Sequence, residues 1–241
     1  MRSSRWFAAA AASGSFLWCG VSSADVKTDV QADVLAAWHP GKQAQLQLGP
    51  GLGFGVGLGA RFTGVPLAFL GSVSYFYEGS TLIERIADVP SGALRTTLDS
   101  YSLNSHLHAR FQPFSSRLRP FVEGLLGVSR VNIGVEREML DDTARRLTIP
   151  PHETSLSYLR SYGFGLGAQI QIRSHGPEHL TFLTFGFRYL TGGELHYPRA
   201  GSARANGDSV MSDTISMRNQ TAIILVGLLH EFDVAASGAS E

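Results

Sequence analysis

The side chains able to do chemistry are few and scattered. His106 and His108 stand two residues apart. On an extended strand that spacing puts both imidazoles on one face, and imidazole is a common metal ligand. No third ligand lies near them in the sequence, so they read as lining and not as a metal centre. His152, Glu153 and Ser155 bring an imidazole, a carboxylate and a hydroxyl into one segment. A Ser–His–acid site is defined by geometry and not by closeness in the chain, so this grouping alone assigns no catalytic residue. The glycines of residues 49–59 recur only at even spacings. A dinucleotide fingerprint needs offsets of 0, 2 and 5 before a helix, and fails here. Asn219-Gln220-Thr221 matches a glycosylation acceptor, but it sits at a strand start and carries no weight. The expectation is no catalytic residue, no cofactor and no metal.

The elements that position these residues repeat with a period of two. Residues 43–62 place Leu46, Leu48, Leu52, Phe54, Val56, Leu58 and Phe62 at even positions, with Gln43, Gln45, Gln47, six glycines and Arg61 at odd ones. Successive strand side chains point to opposite faces, so one face is apolar and the other polar or bare. Residues 25–38, 67–78, 99–112, 156–173 and 180–190 alternate in the same way. Residues 119–135 and 219–232 are β-rich with blurred parity. The total is eight strands.

Composition narrows the class. Of 241 residues 17% are charged, against roughly 25% in ordinary soluble proteins. Lys+Arg and Asp+Glu balance at 20 each, so no basic stripe suits a nucleic acid. The longest apolar run of the body, residues 222–229, is far short of the about 20 that a spanning helix needs. Residues 1–24 have the order of a secretory signal: Arg2 and Arg5, an Ala-rich apolar stretch, then Val21-Ser22-Ser23-Ala24 with small residues before the cut. Trp18 before Cys19 does not suit a lipoprotein cut. Cleavage leaves 18 Lys+Arg against 20 Asp+Glu and no cysteine. The expected organisation is a signal at 1–24, one barrel at 25–233 and a short tail at 234–241.

Connections alternate in length. Those at 63–66, 113–118 and 174–178 are short; those at 79–98, 136–155 and 194–218 are long, with 39–42 a short member of the long side. Short turns at one end and long loops at the other mark outer-membrane barrels. The predicted fold is all-β, an eight-stranded antiparallel up-and-down transmembrane barrel with short periplasmic turns and long extracellular loops. Alternation alone does not say which face is outside. The small residues of the less apolar face suit a narrow lumen. Aromatics near strand ends of the apolar face (Trp38, Tyr75, Tyr77, Tyr101, Phe111, Tyr158 and Phe232) suit the girdles of a membrane barrel.

Three segments carry a resemblance. Arg119-Pro120-Phe121-Val122-Glu123-Gly124-Leu125-Leu126-Gly127 resembles the Arg-Pro-aromatic-Val-x-Gly-x-x-Gly strand of the small outer-membrane β-barrel domain, the OmpA/OmpX-type superfamily. Gly186-Phe187-Arg188-Tyr189-Leu190-Thr191-Gly192-Gly193 resembles its penultimate strand. Ala222, Ile224, Val226, Leu228 and Phe232 resemble its closing strand, which ends in an aromatic read by the insertion machinery. Nine residues follow Phe232, and His230 takes a place that is usually apolar; both are departures. The resemblance implies that the residue at Glu123 points inward.

The expected lumen then holds Lys27, Asp29, Asp33, Asn104, His106, His108, Arg110, Glu123, Gln169, Gln171, Arg188 and Glu231. Arg110 and Glu123 flank a short turn, and Lys27 and Glu231 lie at one end of the strands that must close the barrel. Both are expected as interior ion pairs, since unpaired buried charge is costly. An eight-stranded interior is just wide enough for its own side chains. The expected function is a non-enzymatic outer-membrane protein with a plugged polar lumen, envelope-structural or interacting through its surface loops. Its partners would be outer-membrane lipid, lipopolysaccharide and the insertion machinery, with the chain a monomer. The alternatives are a lipid-A-modifying enzyme, a narrow pore and a soluble lipocalin-like carrier. The enzyme's family resembles this chain in size, but the His-x-Ser strand motif of the deacylases is absent: His106 and His108 are followed two places on by His108 and Arg110.

Overall fold

The computed structural model describes residues 26–40, 50–85, 93–139, 153–174, 179–198, 204–206, 209–211 and 213–233. These form β1 (Val26–Trp38), β2 (Gly51–Phe62), β3 (Leu67–Arg85), β4 (Ala93–Phe111), β5 (Leu118–Met139), β6 (Glu153–Ser174), β7 (His179–Pro198), β8 (Arg204–Asn206), β9 (Ser209–Met211) and β10 (Thr214–Asp233). Eight strands close one barrel in the order β1-β10-β7-β6-β5-β4-β3-β2, while β8 and β9 pair as a separate hairpin. Every pairing is antiparallel, and β1 closes on β10 from Lys27↔Asp233 to Trp38↔Ala222. The eight-stranded up-and-down antiparallel barrel is the architecture expected. The signal and tail segments, residues 43–49, His152 and the turn 175–178 lie outside the described residues.

Local chemistry explains the short turns. Val65 donates its backbone N–H to the Phe62 carbonyl at 3.2 Å, and Gly64 at the third position of that turn has φ of 83°. That value suits glycine and strains other L-residues.

Three features differ from expectation. First, strand pairing runs into the segments predicted as long loops. β3 and β4 pair out to Arg85↔Ala93, β4 and β5 to Leu94↔Met139, and β5 and β6 to Val135↔Glu153. Residues 194–218 contain the end of β7, the β8–β9 hairpin and the start of β10. Alternation records an apolar-to-polar boundary between two faces. Where that boundary fades the pattern fades, although backbone pairing continues. β6 and β7, by contrast, pair only as far as Ser161↔Gly192, and beyond that point Leu159 of β6 and Leu195 of β7 are buried in one apolar group.

Second, the parity of β5 is definite. Arg119, Phe121, Glu123, Leu125, Ser129, Val131, Ile133 and Val135 are buried inside, while Val122, Leu126 and Val128 are exposed. The pattern is blurred because the inner face is apolar too. Third, bulges interrupt two strands. On β7 the register moves from Arg218↔Glu194 to Gln220↔Thr191, so residues 192–193 oppose Asn219 alone. On β6 it moves from Gln171↔Phe182 to Arg173↔Thr181.

Candidate functional site

The exterior is apolar. Leu52, Phe54, Val56 and Leu58 on β2 are 58–67% exposed. Leu107, Val122, Leu126, Phe164, Leu166, Val226 and Leu228 extend the exposed apolar face over β4, β5, β6 and β10. Aromatics sit toward its edges. Tyr77 and Tyr101 have ring centroids 5.1 Å apart, Phe54 and Tyr75 5.7 Å, and Trp38 and Phe187 6.1 Å. Tyr158 is 71% exposed, and Phe111 lies on the same outer face next to a short turn.

The interior is charged at the short-turn end. Glu231 receives Arg119 Nη1 at 2.8 Å, Arg61 Nη1 at 3.3 Å and Lys27 Nζ at 3.4 Å. Asp29 is completely buried, with Arg61 Nη2 at 3.6 Å, an electrostatic contact rather than a hydrogen bond. Above it, Glu123 stands between two guanidiniums. Arg110 Nη2 donates to Oε2 at 2.9 Å, and Arg188 Nε to Oε1 at 2.6 Å. Gln31 donates to both Asp33 oxygens at 2.8 Å and accepts from Arg110 at 3.4 Å. Gln112 donates to Gln169 at 2.8 Å. Rings fill the gaps, with Arg110 over Phe121 at 4.1 Å and Arg119 over Phe182 at 4.2 Å.

Glycine makes this packing possible. A Cβ added at Gly165 would lie 2.9 Å from Glu123 Cγ and 3.1 Å from Arg188 Cγ. The bare face of β6 is therefore the space that the ion cluster occupies.

Further up, apolar side chains take over. Leu35, Phe76, Leu125, Leu190, Ile223 and Leu225 form one buried group. Leu98, Val131, Ile133, Val135, Leu159 and Leu195 form a second, with Ile215 and Met217 packed on it. A cavity of about 20 Å³ lies where the two groups meet, lined by Phe76 and Leu190 from one, Val131 and Leu195 from the other, and by Asn104, Ser161 and Thr221 among polar groups. It has room for about one water. His39 and Glu78 meet beside it, Nε2 to Oε2 at 2.6 Å.

Of the residues expected in the lumen, Asp29, Asn104, His106, His108, Arg110, Glu123, Gln169, Arg188 and Glu231 are buried, and Lys27, Asp33 and Gln171 are partly buried on the same face. They form no single constellation. Lys27, Asp29 and Glu231 belong to the lower cluster; Asp33, His108, Arg110, Glu123 and Arg188 to the upper one. Sequence reasoning missed Arg61 and Arg119 as cluster members, although their odd parity with Gly59 and Glu123 points inward. It also missed the His39–Glu78 pair and both inner apolar groups, which the expectation of a polar lumen did not include.

One arrangement resembles catalytic machinery. Ser72 Oγ is 2.7 Å from His108 Nε2, and His108 Nδ1 is 3.4 Å from Glu123 Oε2. The order is that of a Ser–His–acid triad. Its last link is not a hydrogen bond, because His108 Nδ1 has no hydrogen-bond partner. The carboxylate is already shared by two guanidiniums, and His108, Arg110 and Glu123 fill the space where a substrate would sit. His106 similarly ends on Ser161 at 3.0 Å. Among the described residues no group of three or more His, Cys, Asp or Glu has the geometry to hold a metal ion.

No family model matches the chain, and no curated protein does. Solved structures of low similarity do. Neisserial surface protein A is 16% identical over 85% of this chain and 95% of its own, with a TM-score of 0.40. The outer membrane protein OprG from Pseudomonas aeruginosa is 12% identical over 88% of this chain and 98% of its own, with a TM-score of 0.41. Ail, the attachment invasion locus protein of Yersinia pestis, solved with the heparin analogue sucrose octasulfate, is 11% identical over 88% of this chain and all of its own, with a TM-score of 0.38. What this chain itself displays is a closed barrel with an apolar outer face and a charged inner one.

Proposed function

We propose that this chain is an exported outer-membrane β-barrel with a side-chain-plugged lumen. Its role is non-enzymatic, either structural in the envelope or exerted through the segments joining its long strands. One observation carries the reading: the barrel is inverted relative to a soluble one. Phe54, Leu58, Leu107 and Leu126 face outward at 62–70% exposure, while Asp29, Arg110 and Glu231 are at most 1% exposed. In water such an apolar exterior would be an aggregation liability. In a bilayer it is the surface that lipid wets, and the closed sheet leaves no backbone edge unpaired at that depth.

The girdle reading follows from the same faces. Trp38, Tyr75, Tyr77, Tyr101 and Tyr158 mark the long-strand boundary of the belt, and Phe111 and Phe232 the short-turn boundary. Lipopolysaccharide and phospholipid are then the immediate surroundings. A catalytic reading is disfavoured because the Ser72–His108–Glu123 row is enclosed by its own neighbours.

The test is electrophoretic mobility in cold against boiled SDS, on protein extracted from membranes in detergent. A folded membrane barrel resists cold SDS and shifts on boiling. Protein in the soluble periplasmic fraction with no shift would overturn the reading.

A further inference from the structure

The bulge on β6 has an effect on the outer face. Gln171 opposes buried Phe182 and so faces the lumen. Strict alternation would turn Arg173 inward as well. Instead Ile172 is the extra residue, and Arg173 opposes Thr181, whose neighbour Phe182 points in. Arg173 therefore emerges on the outer face, where it is exposed. Bulges at barrel rims commonly re-aim one side chain in this way.

What Arg173 joins there is polar. Thr181 Oγ1 lies 3.2 Å from His230 Nδ1. His230 stacks on His179, with centroids 5.9 Å apart and planes 15° from parallel, and packs against Phe232 at 6.0 Å. His230 opposes Val30, which is exposed on the apolar exterior. A guanidinium, two imidazoles and a hydroxyl thus share the outer face of β6, β7 and β10 at the short-turn boundary. An outward imidazole on a closing strand contributes nothing to a purely apolar belt. Asp233 is drawn to the other face by Lys27 at 3.4 Å.

We infer that Arg173, Thr181, His179 and His230 form a binding site for the phosphate of an anionic phospholipid in the leaflet at the short-turn end. This rests on the membrane reading above. Charge complementarity selects the occupant: guanidinium is well matched to phosphate oxygens, imidazole offers an N–H, and a choline headgroup would set a second cation beside Arg173 where a glycerol headgroup sets none. The flanking Val30, Ile172 and Phe232 contact the first acyl methylenes.

The experiment uses the folded full chain in vesicles of phosphatidylcholine doped with phosphatidylglycerol, released into detergent for native mass spectrometry. The expected result is retention of phosphatidylglycerol over phosphatidylcholine by roughly tenfold, the size of a charge-assisted hydrogen bond. Arg173→Ala and the double change His179→Ala with His230→Ala should each abolish most of that preference, and Arg173→Lys should restore part of it. Arg160→Ala, at the opposite boundary, should leave it intact. Inorganic phosphate should not displace the lipid. Protein that inserts and shifts on boiling yet retains both lipids equally overturns this inference alone. Protein that does not insert overturns the membrane reading instead. Variants are compared only where the boiling shift is preserved, and equal retention by Arg173→Ala and the parent overturns the site.

Discussion

Removing the Glu123 carboxylate would leave the Arg110 and Arg188 guanidiniums facing one another inside a packed lumen. Both are within 2.9 Å of that carboxylate. Breaking a buried pair from one side costs about 3–5 kcal/mol, because the abandoned charge stays desolvated. Glu123→Ala should therefore lower the unfolding free energy in lipid vesicles by about that amount, read from urea titration. Replacing Glu123, Arg110 and Arg188 together with apolar residues of similar volume should recover much of the loss. A loss under about 1 kcal/mol for the single change would mean that water reaches the cluster freely. The Arg110–Glu123 pairing was open to sequence reasoning, since the two flank one short turn. The second guanidinium was not, because Arg188 lies 65 residues further along and meets Glu123 only through barrel closure.

A strand of this barrel carries two records, one per face. On β2 both are clear: apolar residues outside, glycines and Arg61 inside. Leu126 on β5 is 66% exposed at the middle of the belt. Leu126→Arg should therefore destabilise the folded barrel by about 2–4 kcal/mol, as charge at the bilayer midplane does. The check is its folding midpoint in vesicles, and an unchanged midpoint would place Leu126 away from lipid. Strand existence and the outer face were legible because lipid-facing alternation is strong in β1, β2, β3, β4 and β6. Parity in β5 was not, because Phe121, Leu125, Val131, Ile133 and Val135 line an apolar interior and erase the contrast. The upper reaches of β3, β4 and β5 were also missed as strand. The β6 bulge was invisible for a further reason: a one-residue slip in pairing leaves no mark on composition.

Across the whole molecule the lumen is obstructed at several heights. Glu231, Gln169, Phe182, Leu229, Arg110 and Leu225 all have under 2% exposure, and the interior of eight strands is only as wide as its side chains. Planar bilayers holding the folded protein should show no steady unitary conductance. Reproducible openings in protein that still shifts on boiling would replace the plug with a pore.

The same long strands set a standoff. A strand needs about 9–11 residues to cross the bilayer, whereas β5 and β6 have 22 each. Tyr158 on β6, opposite Arg130 on β5, marks the long-strand edge of the belt, so residues 153–157 and 131–139 lie beyond it; at about 3.3 Å each and tilted about 45°, they rise roughly 10–20 Å above the belt. The far ends of β5 and β6, at Met139 and Glu153, therefore form a tip clear of the belt. An antibody against that tip should bind intact cells, while a probe confined to the bilayer surface should miss it.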